Sequence, residues 1–359
     1  MTTAGERAAH RDGAGLQLAG TVAPRPAPGA SGVPDGARRL TFVEALVEGI
    51  RDEMRRDPDV FFIGQDVGPM GGAMQGAKGL FEEFGARRVR DAPISESAMV
   101  GAAVGAALVG KRPIVEISFG EFLPTCMNQI ALQAANLHYM TAGQATVPMV
   151  LRTRIGDGPY RGHPQCFEAW FAHIPGLRVV MPSTPADAKG MMVAAIRDPN
   201  PVLFFEHMYL YHGVRDEVPE GEYVTPLERA FVRREGRDVT VAATGWMVHQ
   251  AMAVAGQLAG EGLEVEVIDL AALAPLDAAT VVESVRKTAR LVVAHEAWKV
   301  GGFGAEVAAT VAEACFYDLD APVVRVGAPH APVPISKPLR DLFLPNEQDI
   351  LDAIRRVLA

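Results

Sequence analysis

Two short stretches of this chain carry side chains suited to proton chemistry. The first is Asp91-Ala-Pro-Ile-Ser-Glu96-Ser-Ala-Met-Val-Gly101-Ala-Ala-Val-Gly105-Ala-Ala. It sets one carboxylate, Glu96, directly before a run of small residues that forms a closely packed helix. Such a helix offers Glu96 no solvated stripe to lie on, so its carboxyl needs a hydrogen-bonding partner. At the mouth of that helix it is placed to meet a ligand nitrogen. The plainer alternative is a helix N-terminal Glu that offsets the dipole. The second stretch is Gly162-His-Pro-Gln165, a polar, glycine-flanked run around His163. An imidazole there can exchange a proton with a substrate or be a solvated loop histidine. His173, further along, is a structural neighbour of the same loop.

The elements that must hold these groups follow from apolar periodicity. Residues 41–56 carry helical spacing behind Thr41, an amphipathic helix with its cap. Val60-Phe-Phe-Ile63 is a buried strand stopped by Gly64, and a glycine-rich loop over 68–79 precedes a short helix at 80–84. A strand at 113–117, a long helix over 122–139 and strands at 147–151 and 177–181 come next. A helix at 186–197 and a strand at 202–206 complete the series. Alternation of helices with continuously apolar strands predicts a parallel sheet covered on both faces. Beyond a polar stretch, strands at 238–243, 265–269, 291–294 and 323–326 alternate with helices at 247–261, 280–288, 304–315 and 347–358. That is a second, smaller α/β unit with its own core. The expected division is a disordered tail over 1–38, rich in Ala, Gly and Pro, a domain over 39–215, a linker over 216–237 and a domain over 238–359.

Bulk properties narrow the function. The 359 residues suit two domains, and the composition, 49% hydrophobic with 21% charged, is that of an ordinary packed protein. A net charge of −9 without a long basic run argues against nucleic acid as a partner. Cys126, Cys166 and Cys315 form no CxxC pair, which fits a reducing cytoplasm and neither a disulfide framework nor a zinc site. No apolar run reaches the roughly 18 residues of a membrane span. The acidic residues Glu6, Asp12 and Asp35 weaken a transit-peptide reading of the tail.

Further motifs fall in a recognisable order: Gly64-Gln-Asp-Val-Gly68, Pro93-Ile-Ser-Glu-Ser97, Arg112-Pro-Ile-Val-Glu116 and Gly162-His-Pro-Gln-Cys-Phe-Glu-Ala-Trp170. Then come Pro175-Gly-Leu-Arg-Val-Val-Met-Pro-Ser-Thr-Pro185, Ala195-Ile-Arg-Asp-Pro-Asn-Pro201, His295-Glu-Ala297 and Gly301-Gly-Phe-Gly304. Together they resemble the β subunit of the decarboxylase component of 2-oxo acid dehydrogenase complexes, the pyruvate, branched-chain and acetoin enzymes. The resemblance covers residues 39–359. It implies an α/β fold in which a pyrimidine-binding transketolase-like parallel-sheet domain precedes a smaller transketolase C-terminal α/β domain. It also implies thiamine diphosphate as cofactor.

By that resemblance Glu96 is the carboxyl that shares a proton with the aminopyrimidine ring of the cofactor and starts its chemistry. Phe122 packs on the ring and Ile94 lines it. His163 is the active-site histidine tied to substrate handling and acyl transfer, with Pro164 where the family usually has Ser. Met149, Ala195, Ile196, Asp198 and Asn200 match positions that hold a structural potassium ion in some relatives, or else form a plain helix-to-strand turn. Asp320 matches a position that docks the basic domain of the lipoyl acyltransferase component.

The chain has Gly156-Asp-Gly158, but no Asn follows until Asn200, so the family's Mg²⁺–diphosphate motif is missing. Mg²⁺ must then come with an α subunit, in an α₂β₂ heterotetramer that shares the cofactor. Three features depart from the family: Gln65 in place of Glu, Ala271 in place of Arg, and arginines at 154 and 161 in the His163 loop. They raise an alternative, a thiamine-dependent transferase passing an acyl or ketol unit to a small molecule. A non-catalytic scaffold subunit is the third reading. The small 2-oxo acid used is open.

Overall fold

The computed structural model describes residues 38–158 and 162–359. The tail expected to be disordered lies, but for Arg38, outside the described residues, as does Arg161. The first unit runs β1 (Arg39–Thr41), α1 (Phe42–Arg56), β2 (Val60–Gly64), α2 (Leu80–Phe84), β3 (Val89–Asp91), α3 (Glu96–Leu108), β4 (Arg112–Ile117) and α4 (Leu137–Met140). It continues with β5 (Val150–Ile155), α5 (Glu168–Ala172), β6 (Arg178–Val180), α6 (Pro185–Arg197), β7 (Val202–His207), α7 (Leu210–Gly213) and β8 (Arg215–Glu217). The second unit holds β9 (Phe231–Arg234), β10 (Val239–Ala243), α8 (Trp246–Ala259), β11 (Val265–Asp269), β12 (Ala272–Ala274), α9 (Ala278–Thr288) and β13 (Leu291–Trp298). It closes with α10 (Gly304–Cys315), β14 (Val324–Ala328), α11 (Lys337–Phe343) and α12 (Glu347–Leu358).

Local chemistry explains the boundaries. Thr41 and Glu44 form a reciprocal capping box at the start of α1, while Arg55 and Arg56 sit at its negative end. Thr184 caps α6, whose first turn carries Pro185. The long helix expected over 122–139 is instead broken into a 3₁₀ segment, Gly120–Cys126, a π-helical segment, Asn128–Ala134, and α4. Pro124 sits inside the first segment, where its missing N–H prevents an α-helical ladder.

The first sheet has the order β12-β6-β7-β5-β4-β2-β3, parallel except for β12. The second has the order β14-β13-β10-β11-β9, parallel except for β9. Two expectations change here. The stretch 216–237 is more than a linker, since β9 is an edge strand of the second sheet. The second unit has a core of its own, from Val239 and Val267 to Ile354 and Val357, but it is also joined to the first unit, because β12 pairs with β6 of the first sheet. One buried cluster also runs from Val115 and Leu151 to Val293 and Phe303. The site lies at the carboxyl ends of β2, β4 and β5, where an open parallel sheet leaves a crevice.

Candidate active site

Beneath the site is a buried ionic floor. Arg152 (0% exposed) on β5 makes two parallel hydrogen bonds to Glu206 on β7, at 2.6 and 2.8 Å. Arg154 donates to the Ser118 carbonyl at 2.7 Å and to Glu116 at 3.2 Å. Both guanidinium groups also reach up to the glycine-rich loop, Arg152 to the Gly76 carbonyl and Arg154 to that of Ala73, at 2.6 and 2.8 Å. A side chain at Gly76 would strike Glu116 at 2.8 Å, so glycine is what lets the loop lie on this floor. Burial alone would lower the Arg152 guanidinium, but Glu206 outweighs it and holds it well above its ordinary range. Arg154, expected in the His163 loop as a departure that raised the transferase alternative, is therefore a structural residue of β5.

Glu96 stands on the first turn of α3 and is 9% exposed. Gln65, the first residue beyond β2, donates to its Oε1 at 3.1 Å and accepts from the Ser118 hydroxyl at 3.2 Å. Gln65 and Ser118 were not singled out as site residues from the sequence, although Gln65 marked itself as a departure at a strand end. Ser95, the residue before the helix, makes no side-chain cap. Within the chain α3 buries Met99, Val100, Ala103, Val104 and Ala107, while Ala102, Gly105 and Leu108 on its other side are exposed. The small-residue helix is thus packed on one face only. Ile94 is 83% exposed beside it.

The second arm is a loop. His163 Nδ1 lies 3.1 Å from a carboxylate oxygen of Glu121, whose other oxygen accepts from the Gln165 N–H at 3.1 Å. The imidazole sits 4.7 Å from the Phe122 ring and 5.1 Å from Phe119, centroid to centroid. The 3₁₀ segment after β4 thereby brings Phe122, Glu121 and His163 together. Because Ser118 also bonds Gln65, one short run of chain links the Glu96 arm to the His163 arm. Glu121 and Phe119 gave no sequence signal. His173 ends α5 as its C-cap and has no part in this contact set.

The stem of the His163 loop is tied to the second unit. Asp157 is ion-paired with buried Arg340 of α11 and accepts from the Tyr209 hydroxyl at 2.7 Å. Its own N–H donates to Glu296, whose second oxygen lies 3.0 Å from His207 Nε2. Gly156-Asp-Gly158 is accordingly a structural stem. Nearby Glu168 is 1% exposed, and burial, reinforced by the charge of Glu296, pushes its carboxyl up to about 7.

The other candidates fall elsewhere. At the turn after α6 the carbonyls of Ile196 and Asp198 accept from the Arg112 guanidinium at 2.8 and 3.3 Å. The Met149 carbonyl accepts from Val202, and the Asp198 carboxylate takes Arg178 and Asn200. The oxygens of Ile196 and Asp198 therefore already face a guanidinium, whereas the Met149 carbonyl meets a backbone N–H. Asp320 is exposed on the second unit and paired with Arg290 at 3.0 Å. Ala271 is fully buried in the core, with its carbonyl bonded to Met181, and does not face the crevice. Among the described residues no group of three or more His, Cys, Asp or Glu is placed to hold a metal, and no helix is long and apolar enough to cross a membrane.

Comparison with known proteins bears on this geometry directly. Residues 38–213 match the transketolase pyrimidine-binding domain, and residues 228–350 the transketolase C-terminal domain. A solved split-gene transketolase, an inactive β4 tetramer, superposes with a TM-score of 0.72 over 89% of this chain and 98% of its own, at 24% identity, and so shares the fold. The β subunit of acetoin:2,6-dichlorophenolindophenol oxidoreductase from Cupriavidus necator is 44% identical over 90% of this chain and 98% of its own length. The 2-oxoisovalerate dehydrogenase and pyruvate dehydrogenase E1 β subunits of Bacillus subtilis are 40% and 41% identical, each over 89% of this chain and nearly all of their own. With relatives matched from end to end, this chain belongs to the transketolase-like family of 2-oxo acid and acetoin dehydrogenase β subunits.

Proposed function

We propose that this chain is the β subunit of a thiamine-diphosphate-dependent 2-oxo acid dehydrogenase. It provides the aminopyrimidine half of a cofactor site shared with an α subunit in an α₂β₂ assembly. The observation that carries the reading is a buried carboxylate, Glu96, oriented by Gln65 and joined through Ser118 to the Phe122–His163 pair at the strand ends. A carboxyl beside an exposed Ile94 and a half-buried Phe122 suits a flat, nitrogen-bearing ring. When bound, the cofactor supplies the nucleophilic carbon that decarboxylates the 2-oxo acid. Glu96 holds a proton at the ring nitrogen, Phe122 and Ile94 fix the ring's plane, and His163 meets the substrate or the acyl group on its way to a lipoyl carrier.

Asp157 is committed to Arg340, Tyr209 and Glu296, which supports an α subunit as the holder of Mg²⁺ and the diphosphate. Ile94, Val109, Tyr139 and Met140 are exposed large apolar side chains of the sort that a tight partner covers. Asp320 is the proposed contact for the basic domain of the acyltransferase. A potassium ion at Met149, Ala195, Ile196, Asp198 and Asn200 would have to compete with Arg112, which already occupies the carbonyls of Ile196 and Asp198. The transferase alternative loses two of its supports with Arg154 and Ala271 buried. The deciding experiment is co-expression with an α-type partner, then thiamine-dependent turnover of pyruvate, branched-chain 2-oxo acids and acetoin with and without a lipoyl domain. Lipoyl-dependent turnover is expected. Turnover indifferent to the lipoyl domain would favour the transferase, and none at all the scaffold.

A further inference from the structure

We infer that Glu121 is a positioning residue for His163, fixing which ring nitrogen meets the substrate; this rests on the dehydrogenase reading of the site. A carboxylate oxygen only accepts, so the Nδ1 it contacts at 3.1 Å carries the proton, and Nε2 is the nitrogen through which His163 acts. The other oxygen of Glu121 takes the Gln165 N–H at 3.1 Å, so one carboxylate fixes both the ring and the backbone just beyond it. The imidazole is edge-on to Phe122, with interplanar angles of 63° to that ring and 41° to Phe119. Rotation of the ring about its bond to the chain would break the Nδ1 contact and change its packing on both phenyl rings. A histidine on a loop, with Gly162 behind it, has no secondary structure to restrain it, so the carboxylate and the rings take over that task. The arrangement is analogous to the outer partners that orient metal-binding histidines, whose removal typically costs about 10- to 100-fold in metal affinity or activity.

The test is a double-mutant cycle in the reconstituted α–β enzyme, with turnover of its 2-oxo acid and the affinity for thiamine diphosphate both measured. Glu121→Ala should lower kcat by about 10- to 100-fold with cofactor affinity unchanged. Glu121→Gln keeps one acceptor oxygen in the same shape and should recover part of the loss. Because Glu121 acts through His163, Glu121→Ala on a His163→Ala background should cost nothing more. A residue that merely stabilised the fold would instead give losses that multiply, and that outcome overturns the inference. If His163→Ala impairs turnover while Glu121→Ala does not, the inference fails and the site reading stands. If neither does, both fail.

Discussion

Glu96 and His163 approach the same corner of the sheet, but they are held by different physics. Glu96 is carried on the first turn of a helix, is 9% exposed, and among the described residues has one side-chain hydrogen-bond partner, Gln65. His163 rides a loop with a side chain 31% exposed, and depends on a carboxylate and two aromatic rings from another segment. The helix backbone fixes where the Glu96 side chain starts, and Gln65 orients its carboxyl. His163 is only as precise as its contacts. A site built this way places its precision in the helix around the carboxyl and in side-chain contacts around the histidine.

The comparison breaks first at Glu96. Glu96→Gln keeps size and helix position but removes the acid–base function, so thiamine-dependent turnover should fall about 10³-fold while the α–β complex still assembles. Steady-state kinetics on the reconstituted pair measure it, and a loss under tenfold would remove Glu96 from the proton role. His163→Ala should cost less, about 10²-fold, with cofactor affinity intact. Equal titration of thiamine diphosphate into both variants separates the arms. If His163→Ala weakens cofactor binding as strongly as Glu96→Gln does, the two arms are one.

What was legible follows the same division. The Glu96 helix, its neighbouring strands and the closing helices at 304–315 and 347–358 announce themselves through a small-residue run, continuously apolar strands and helical periodicity, which are local signals. The partners of His163 do not. Glu121 meets it across |i−j| of 42 residues and Asp157 meets Glu296 across 139, distances over which a single sequence carries no periodic trace. The break of the expected 122–139 helix had a visible cause in Pro124, and the structure shows that break to be what turns Glu121 and Phe122 toward the loop. Arg154 misled because a strand expected to end at 151 left this arginine in the His163 loop, whereas β5 runs on to Ile155 and buries it. Here it is paid for by Glu116 and by loop carbonyls.

The loop side also carries a pH signature. Glu168 lies near 7 in the folded chain against an ordinary 4.5, so between those values the folded state binds a proton that the unfolded state has lost. Stability therefore falls as pH rises from about 4.5 to about 7 and is level above that. His295, which burial pushes down to about 4 from 6.5, has the opposite sign, its contribution being lost as pH falls through that window. Glu168→Gln should remove the first slope, leave the His295 slope exposed below about pH 6.5, and stabilise the protein near pH 8 by at most about 3 kcal/mol. Apparent Tm across that range decides it, and unchanged profiles would mean that the Glu168 carboxyl is ionised in the folded chain.

The smallest effect belongs to Gln65. Its amide gives one hydrogen bond to Glu96 and takes one from Ser118, and both partners are otherwise set by the sheet and by α3. Gln65→Ala should therefore cost about 1 kcal/mol, seen as a roughly fivefold weaker thiamine diphosphate affinity with kcat changed little. A helix-held carboxyl needs orientation only at the margin, and a small loss says so. If Gln65→Ala instead lowers kcat as far as Glu121→Ala does, then Glu96 too depends on its contacts, and the two arms are built alike.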